Sequence, residues 1–152
     1  MQDKRTDPDY QAQAILSRRD HSIFEVQTKM KRKGFTASQI NSAVAKLKKL
    51  KLLDDRLFAY KCSEEILRFK AVGPHLIAHK LKQKGIDQTL IDETVAAAFA
   101  DNREIKLARA AAARWQQLHP RHAADHARLT RFLNQRGFTA AIARSVLLSA
   151  GE

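Results

Sequence analysis

The histidines are the first residues in this chain whose spacing could support chemistry. His75 and His79 stand four residues apart, and a second group comprises His119, His122 and His126. Two histidines at positions i and i+4 share one face of a helix, and this spacing occurs in zinc sites. A zinc site needs three or four ligands, however, and neither group is accompanied by the acidic or thiolate residue that would complete it. The histidines therefore predict no metal site, and nothing else in the sequence predicts a cofactor.

Acid–base and nucleophilic catalysis have equally little support. The acidic residues that cluster do so as neighbours, at Asp54–Asp55, Glu64–Glu65 and Asp92–Glu93. Adjacent side chains on a helix point about 100° apart, so such a pair does not act jointly on one substrate. Cys62 is the only cysteine, which excludes an internal disulfide and a cysteine-based zinc site. Phosphate-binding glycine loops and serine nucleophile elbows are also missing, so we expect a binding protein and not an enzyme.

Basic residues supply the strongest functional signal. The chain has 28 Lys and Arg against 16 Asp and Glu, a net charge of +12 and a pI near 10.2. Residues 1–53 carry a net charge of +7, residues 54–100 carry none, and residues 101–152 carry +5. Such an excess at both ends favours a polyanionic partner.

Ten basic residues are the candidates for contact with that partner. Favourable interaction with a helix C-terminus would explain one or two basic residues per helix, but not the eight Lys and Arg residues within residues 29–51. We therefore predict contact with phosphate or with an acidic protein surface. The candidates are Lys29, Lys31, Arg32, Lys33, Lys46, Lys48 and Lys49 near the N-terminus, and Arg128, Arg131 and Arg136 near the C-terminus.

These residues must be positioned by helices, because a glycine turn recurs at a nearly constant interval. Gly34, Gly85 and Gly137 lie 51 and 52 residues apart, and each follows a basic residue and precedes Phe or Ile. A glycine just past a helix end adopts the left-handed conformation, and the next apolar residue folds back onto the last turn. The residue four positions before each glycine is apolar, and the residue two positions after it is Thr or Asp, a good N-cap. A period near fifty residues indicates tandem supersecondary units.

The helices around each turn complete three units. Ser22 and Glu25 form a capping box at one helix start, and Gly73–Pro74 places proline at the first position of the equivalent helix. A further helix opens each unit, over 8–18, 55–69 and about 102–118, with Asp54 and Asp101 as N-caps of the last two. After His119–Pro120 the next helix is predicted to begin near Ala123.

The predicted fold is all-α, with three tandem three-helix repeats stacked into an elongated, curved array. A polar tail of residues 1–9 precedes repeats at 10–53, 54–100 and 101–152. The phenylalanines fall mostly at helical core spacings, including Phe69 among the inward positions of its helix, so no base-stacking platform is expected. No apolar run reaches the roughly 18 residues that span a membrane, so we expect a cytoplasmic protein with no membrane partner.

Several of these motifs resemble the RecX family, whose members regulate the RecA recombinase. The resemblance begins with Leu16–Ser22, continues through Leu53–Ala59 and Lys84–Ile86, and is looser at Arg136–Phe138. It covers roughly residues 10–149. The matching positions with a structural role are Ser22, Glu25, Gly34, Phe35, Asp54, Phe58, Gly73, Pro74, Gly85, Ile86, Gly137 and Phe138.

The resemblance implies a modulator, mainly an inhibitor, that binds in the groove of the RecA–DNA filament. It would affect ATP hydrolysis, strand exchange and the coprotease function of RecA, and so restrain recombination and the SOS response. The expected partners are RecA in filament form and, at least weakly, single- or double-stranded DNA, with the chain acting as a monomer. Two alternatives stay open: a general nucleic-acid-binding helical module, and a helical adaptor that does not bind DNA.

Overall fold

The computed structural model describes residues 3–150 of the 152-residue chain. Within these residues the chain forms nine α-helices and one short 3-10 helix at Pro120–His122, with no β-strand. The helices are α1 Pro8–Arg18, α2 Ile23–Arg32, α3 Ala37–Lys49, α4 Asp55–Phe69, α5 Pro74–Gln83, α6 Gln88–Ala98, α7 Arg103–Leu118, α8 His126–Gln135 and α9 Ala140–Ser149. The first two residues of the predicted tail and the last two of the third predicted repeat lie outside the described residues.

The three glycine turns close their helices in the same way. In the first turn, the Gly34 N–H donates to the Lys31 carbonyl (3.0 Å) and the Phe35 N–H donates to the Met30 carbonyl (3.3 Å). The same two bonds recur in the other two turns. All three glycines have φ between +73° and +90°, where a β-carbon would be strained. The paired bonds satisfy carbonyls that a helix end leaves free, and they hold the residue after glycine against the last turn.

Side-chain caps begin most of the helices, as the sequence predicts. The Ser22 hydroxyl accepts from the Glu25 N–H (3.1 Å), and the Glu25 carboxylate accepts from the Ser22 N–H (3.2 Å). Proline occupies the first position of α5. Predicted N-caps that accept a backbone N–H are Thr36, Asp54, Asp87 and Thr139.

Helices α1 to α9 form three successive groups of three, and each group encloses its own cluster of buried apolar side chains. We call α1–α3 unit 1, α4–α6 unit 2 and α7–α9 unit 3. Met30, Leu81 and Leu133, four residues before the turn glycines, are fully buried, one in each cluster. In α9 the buried stripe passes through Ala143 and Val146. The all-α class and the tandem three-helix units are confirmed.

Units 1 and 2 are joined where α2 begins. The Ser22 hydroxyl donates to the Lys84 carbonyl in the turn of unit 2 (2.6 Å), and the Ile23 N–H donates to the Asp55 carboxylate at the start of α4 (2.9 Å). The Lys84 ammonium also lies 3.4 Å from the Glu25 carboxylate. The Ser22 hydroxyl and the Ile23 N–H, both at the N-terminus of α2, thus form hydrogen bonds to unit 2. These bonds fix the orientation of unit 1 on unit 2.

Units 2 and 3 are joined at the equivalent place. The Gly73 N–H, at the start of α5, donates to the Arg136 carbonyl in the turn of unit 3 (2.9 Å). The His75 N–H donates to the Gly137 carbonyl at the same distance. In both joints, therefore, the N-terminus of a unit's second helix rests on the glycine turn of the next unit. The Gly34 turn of unit 1 has no preceding unit among the described residues, and a β-carbon there would have no other atom within 4 Å.

Two predicted helix starts are wrong. The N-cap of α7 is Asn102, not Asp101, because both residues have φ near +60° and the helix begins only after this left-handed turn. Helix α8 begins at His126 and not near Ala123. The chain first makes the 3-10 turn, and the Asp125 carboxylate then accepts from the Arg128 N–H (3.0 Å), a cap that alanine cannot supply.

The predicted inward face of α4 is wrong at its two ends. The residues of α4 that are buried are Ala59, Ser63 and Leu67, which repeat every four positions. Leu57 and Phe69 lie two positions outside this stripe, roughly 200° around the helix, and they are 47% and 75% exposed. Phe69 is therefore a surface residue and not a core residue.

Candidate functional site

Part of the predicted basic cluster lines one groove in unit 1. Arg18, from the end of α1, faces Lys29, Arg32 and Lys33, from the end of α2, across a groove of about 340 Å³. Ala14 and Ile15 supply an apolar part of its lining, and no carboxylate is among its lining residues. Four cations beside apolar side chains, with no carboxylate among them, would attract a phosphate chain or an acidic side chain. We call this groove the unit 1 basic groove.

One of these cations is fixed in place by a buried histidine. The Lys29 ammonium lies 2.7 Å from Nε2 of His21, whose Nδ1 lies 2.8 Å from the Arg19 carbonyl. An ammonium can only donate, so Nε2 accepts and Nδ1 carries the hydrogen that it donates to Arg19. Burial lowers the pKa of His21, and the nearby Arg19 and Lys29 charges lower it further. His21 is thus a neutral support that holds Lys29 at the groove.

The other lysines of the cluster are elsewhere. Lys46 pairs with Asp9 across α1 and α3 (2.6 Å), a contact that raises its pKa. Lys48 lines a separate depression between units 1 and 2, which also holds Asp54 and Asp55. Lys31 and Lys49 are exposed and line neither groove. The candidates of the first repeat therefore do not form one continuous site.

In unit 3 the three candidate arginines also differ in surroundings. Arg128 pairs with Asp125 on the first turn of α8 (3.1 Å), and Arg131 is exposed on the same helix. The Arg136 guanidinium lies over the Phe132 ring, 5.4 Å from its centroid, on the rim of an aromatic groove. Sequence reasoning missed this groove because it assigned the aromatic residues to the core. Phe69, two residues past the last buried position of α4, was the signal that could have revealed it.

Several of the candidate structural residues lie at the joints, but Gly34 lies at a turn that no neighbouring unit among the described residues approaches. Glu25 is the clearest case, since its carboxylate accepts from Arg19 (2.7 Å) and from the Ser22 N–H, next to Lys84. Burial alone would raise the pKa of Glu25, but these bonds and charges lower it to about 2. The capping box of α2 is therefore also the ionic centre of the joint between units 1 and 2.

The described residues offer little for chemistry. Within residues 3–150 no three His, Cys, Asp or Glu side chains converge as metal ligands would. Burial raises the pKa of the Cys62 thiol, so it is a poor nucleophile. Of the helices in this range, none has the length and apolar character to cross a membrane.

Comparison with known proteins agrees with the fold and the motifs. Residues 11–47 match the family model of the RecX first three-helix domain, and residues 54–95 match that of the RecX second three-helix domain. The chain is similar to the regulatory protein RecX of Chlorobaculum tepidum, with 35% identity over 140 residues that cover 91% of this chain and 85% of the relative. It is also similar to the regulatory protein RecX of Halorhodospira halophila, with 32% identity and coverage of 91% and 84%.

A solved structure gives the same fold. The crystal structure of RecX from Lactobacillus salivarius superposes with a TM-score of 0.87 at 18% identity, covering 98% of this chain and 97% of that one. This match over nearly the full length accompanies the two matched domains and the similarity to named relatives. The chain belongs to the RecX family of regulatory proteins.

Proposed function

We propose that this chain modulates a RecA recombinase, mainly as an inhibitor, by binding in the groove of the RecA–DNA filament. It would act as a monomer in the cytoplasm, and would lower ATP hydrolysis, strand exchange and coprotease function without itself being an enzyme. Its relatives are named regulatory proteins, which supports a regulatory role. The single observation that carries the proposal is the distribution of charge along the helical array, with +7 in residues 1–53, none in residues 54–100 and +5 in residues 101–152.

The charge distribution suits a partner that repeats along an axis. The unit 1 basic groove lies in the first unit and the exposed Arg131 lies in the third, where Arg136 stands at the joint with unit 2, while residues 54–100 have no net charge. Because hydrogen bonds fix both joints, the two basic ends are held apart at a set spacing. A filament presents equivalent anionic surfaces at regular intervals, so both ends can bind it at once. Simultaneous binding of two ends raises affinity well above that of either end.

The test compares three targets with one labelled protein. Binding is measured to RecA filaments on single-stranded DNA, to free RecA and to bare single-stranded DNA over a salt series. We expect the filament to bind most tightly and its affinity to fall as salt rises, because basic groups release counterions from the polyanion. The DNA-dependent ATPase rate of the same filaments should fall over the same range of protein concentration.

The other outcomes identify the alternatives. Equally tight binding to bare DNA, with or without RecA, would favour a general nucleic-acid-binding module. An affinity for free RecA that changes neither with salt concentration nor with the presence of DNA would favour a helical adaptor. Either result would overturn the proposal.

A further inference from the structure

A second groove lies between units 2 and 3. It has a volume of about 510 Å³, within the ~300–1,000 Å³ typical of ligand sites. The end of α4 forms one wall, and α7 and α8 form the other. Its aromatic lining residues are Phe69, Trp115, His119 and Phe132. We call it the aromatic groove.

The rings of the aromatic groove are already arranged as a stack. The Trp115 ring pairs with His119 and with Phe132, with centroid distances of 4.9 and 6.0 Å and interplanar angles of 26° and 29°. Phe69 is 75% exposed across the groove from this stack. Its ring is not part of the buried core of unit 2, because Phe69 lies outside the buried stripe of α4. An exposed ring opposite a partly covered stack leaves room for another flat group.

Cations surround these rings. Lys70, Arg114 and Arg136 line the aromatic groove, and no carboxylate is among its lining residues. In the part of the chain that the structure describes, none of the three forms an ion pair. Their charges are therefore available to an anion that enters the groove. The ligand that fits has a flat face and a negative charge on the same small unit.

We propose that the aromatic groove is a binding subsite for single-stranded nucleic acid, in which one base stacks on the rings and the adjoining phosphates contact Lys70, Arg114 and Arg136. Aromatic rings beside a cationic path are the features by which proteins bind single strands without sequence preference. Duplex DNA does not fit, because its bases are already stacked on each other and present only their edges. An acidic peptide would satisfy the cations, but it has no flat face for the rings.

The subsite deepens the proposed function, since a RecA–DNA filament contains a single strand, but its test needs no RecA. Trp115 is the only tryptophan of the chain, so the fluorescence of the full protein reports on this groove alone. We expect a twelve-residue thymidine strand to quench this fluorescence, because a base would stack beside the indole. An abasic strand of the same length should bind more weakly and leave the fluorescence nearly unchanged. Equal quenching by the abasic strand, by duplex or by a polyglutamate peptide would overturn the proposal.

Substitution of Phe69 tests the same groove from its other wall. Phe69→Leu keeps an apolar side chain at a mostly exposed position, so the melting temperature should not change. Its affinity for the thymidine strand should fall about tenfold, the usual effect of losing one base–ring contact. Tyr60→Leu is the matched control, because Tyr60 is a 58% exposed aromatic on the same helix that does not line the groove. Equal affinity of the two variants for the strand would contradict the proposal, whether or not the chain binds RecA filaments.

Discussion

Gly73 lies directly against Gly137, and its N–H donates to the carbonyl of the residue before that glycine (2.9 Å). A β-carbon on Gly73 would overlap the backbone of Gly137 and Phe138. Two glycines from different units thus allow their backbones to touch, and this contact is the joint between units 2 and 3. Gly73 has φ of −98°, so space and not backbone conformation requires glycine there.

Replacing Gly73 should therefore weaken the joint rather than the helix. We expect Gly73→Ala to lower the free energy of unfolding by about 2 kcal/mol, as is usual when a tightly packed site is overfilled. Protease sensitivity should rise in the segment between α4 and α5. Chemical denaturation and limited proteolysis of the full chain measure the two effects.

Gly34→Ala is the matched control, since Gly34 has φ of +90° but no neighbour that a β-carbon would meet. It should cost about 1 kcal/mol of left-handed strain and leave the α4–α5 segment protected. Equal proteolysis of the two variants would mean that Gly73 does not hold the units together.

Strain and crowding can be separated at Gly85, which has φ of +73° and lies against the Phe24 side chain. Gly85→Val should cost more than the ~1–2 kcal/mol of left-handed strain, because the new side chain must also displace Phe24. In a Phe24→Ala background, the cost of Gly85→Val should fall, because the ring carbons that crowd the new side chain are removed and only the β-carbon of residue 24 remains. A double-mutant cycle by denaturant unfolding gives the coupling. Strictly additive costs would show that Phe24 does not pack on this turn.

His21 should make stability depend on pH. Its pKa is lowered in the folded protein, so the stability it contributes is present above its unfolded pKa near 6.5 and is lost as pH falls through the folded value. The melting temperature should therefore drop as pH falls below about 7, more for the native chain than for His21→Gln. If the melting temperature falls equally with pH in the two proteins, the assignment of a buried neutral imidazole is contradicted.

Local sequence patterns predicted the parts of the fold that depend on neighbouring residues. The paired hydrogen bonds of the Gly34 turn and the capping box of Ser22 join residues at most five positions apart. The types of these few residues are therefore enough to predict both features. Contacts between units lie beyond such patterns. The bond from the Ser22 hydroxyl to the Lys84 carbonyl crosses 62 positions and uses a backbone acceptor that every residue has.

The candidate site was less predictable for a related reason. Lys29 and Lys48 are close in sequence but lie on different helices, α2 and α3, and they line different grooves. The partner of Lys46 is Asp9, 37 positions away, which the density of charge did not reveal. Phe69 was placed in the core because it is apolar, although its position after Leu67 puts it outside the buried stripe.

The central claim is that positive charge at the ends of the array binds the filament. Arg32→Glu with Lys33→Glu reverses two exposed cations of the unit 1 basic groove. Lys80→Glu with Lys82→Glu makes the same charge change at the equivalent helix end of the neutral unit 2. Both double variants should fold, since all four side chains are exposed, and their melting temperatures check this.

The deciding measurement is the affinity of both double variants for RecA filaments on single-stranded DNA over a salt series. We predict that reversal in unit 1 weakens binding at least tenfold and makes the dependence on salt shallower, because fewer counterions are released. Reversal in unit 2 should have a much smaller effect on both quantities. If both variants bind as the unaltered chain does, with the same salt dependence, then the basic ends do not bind the filament.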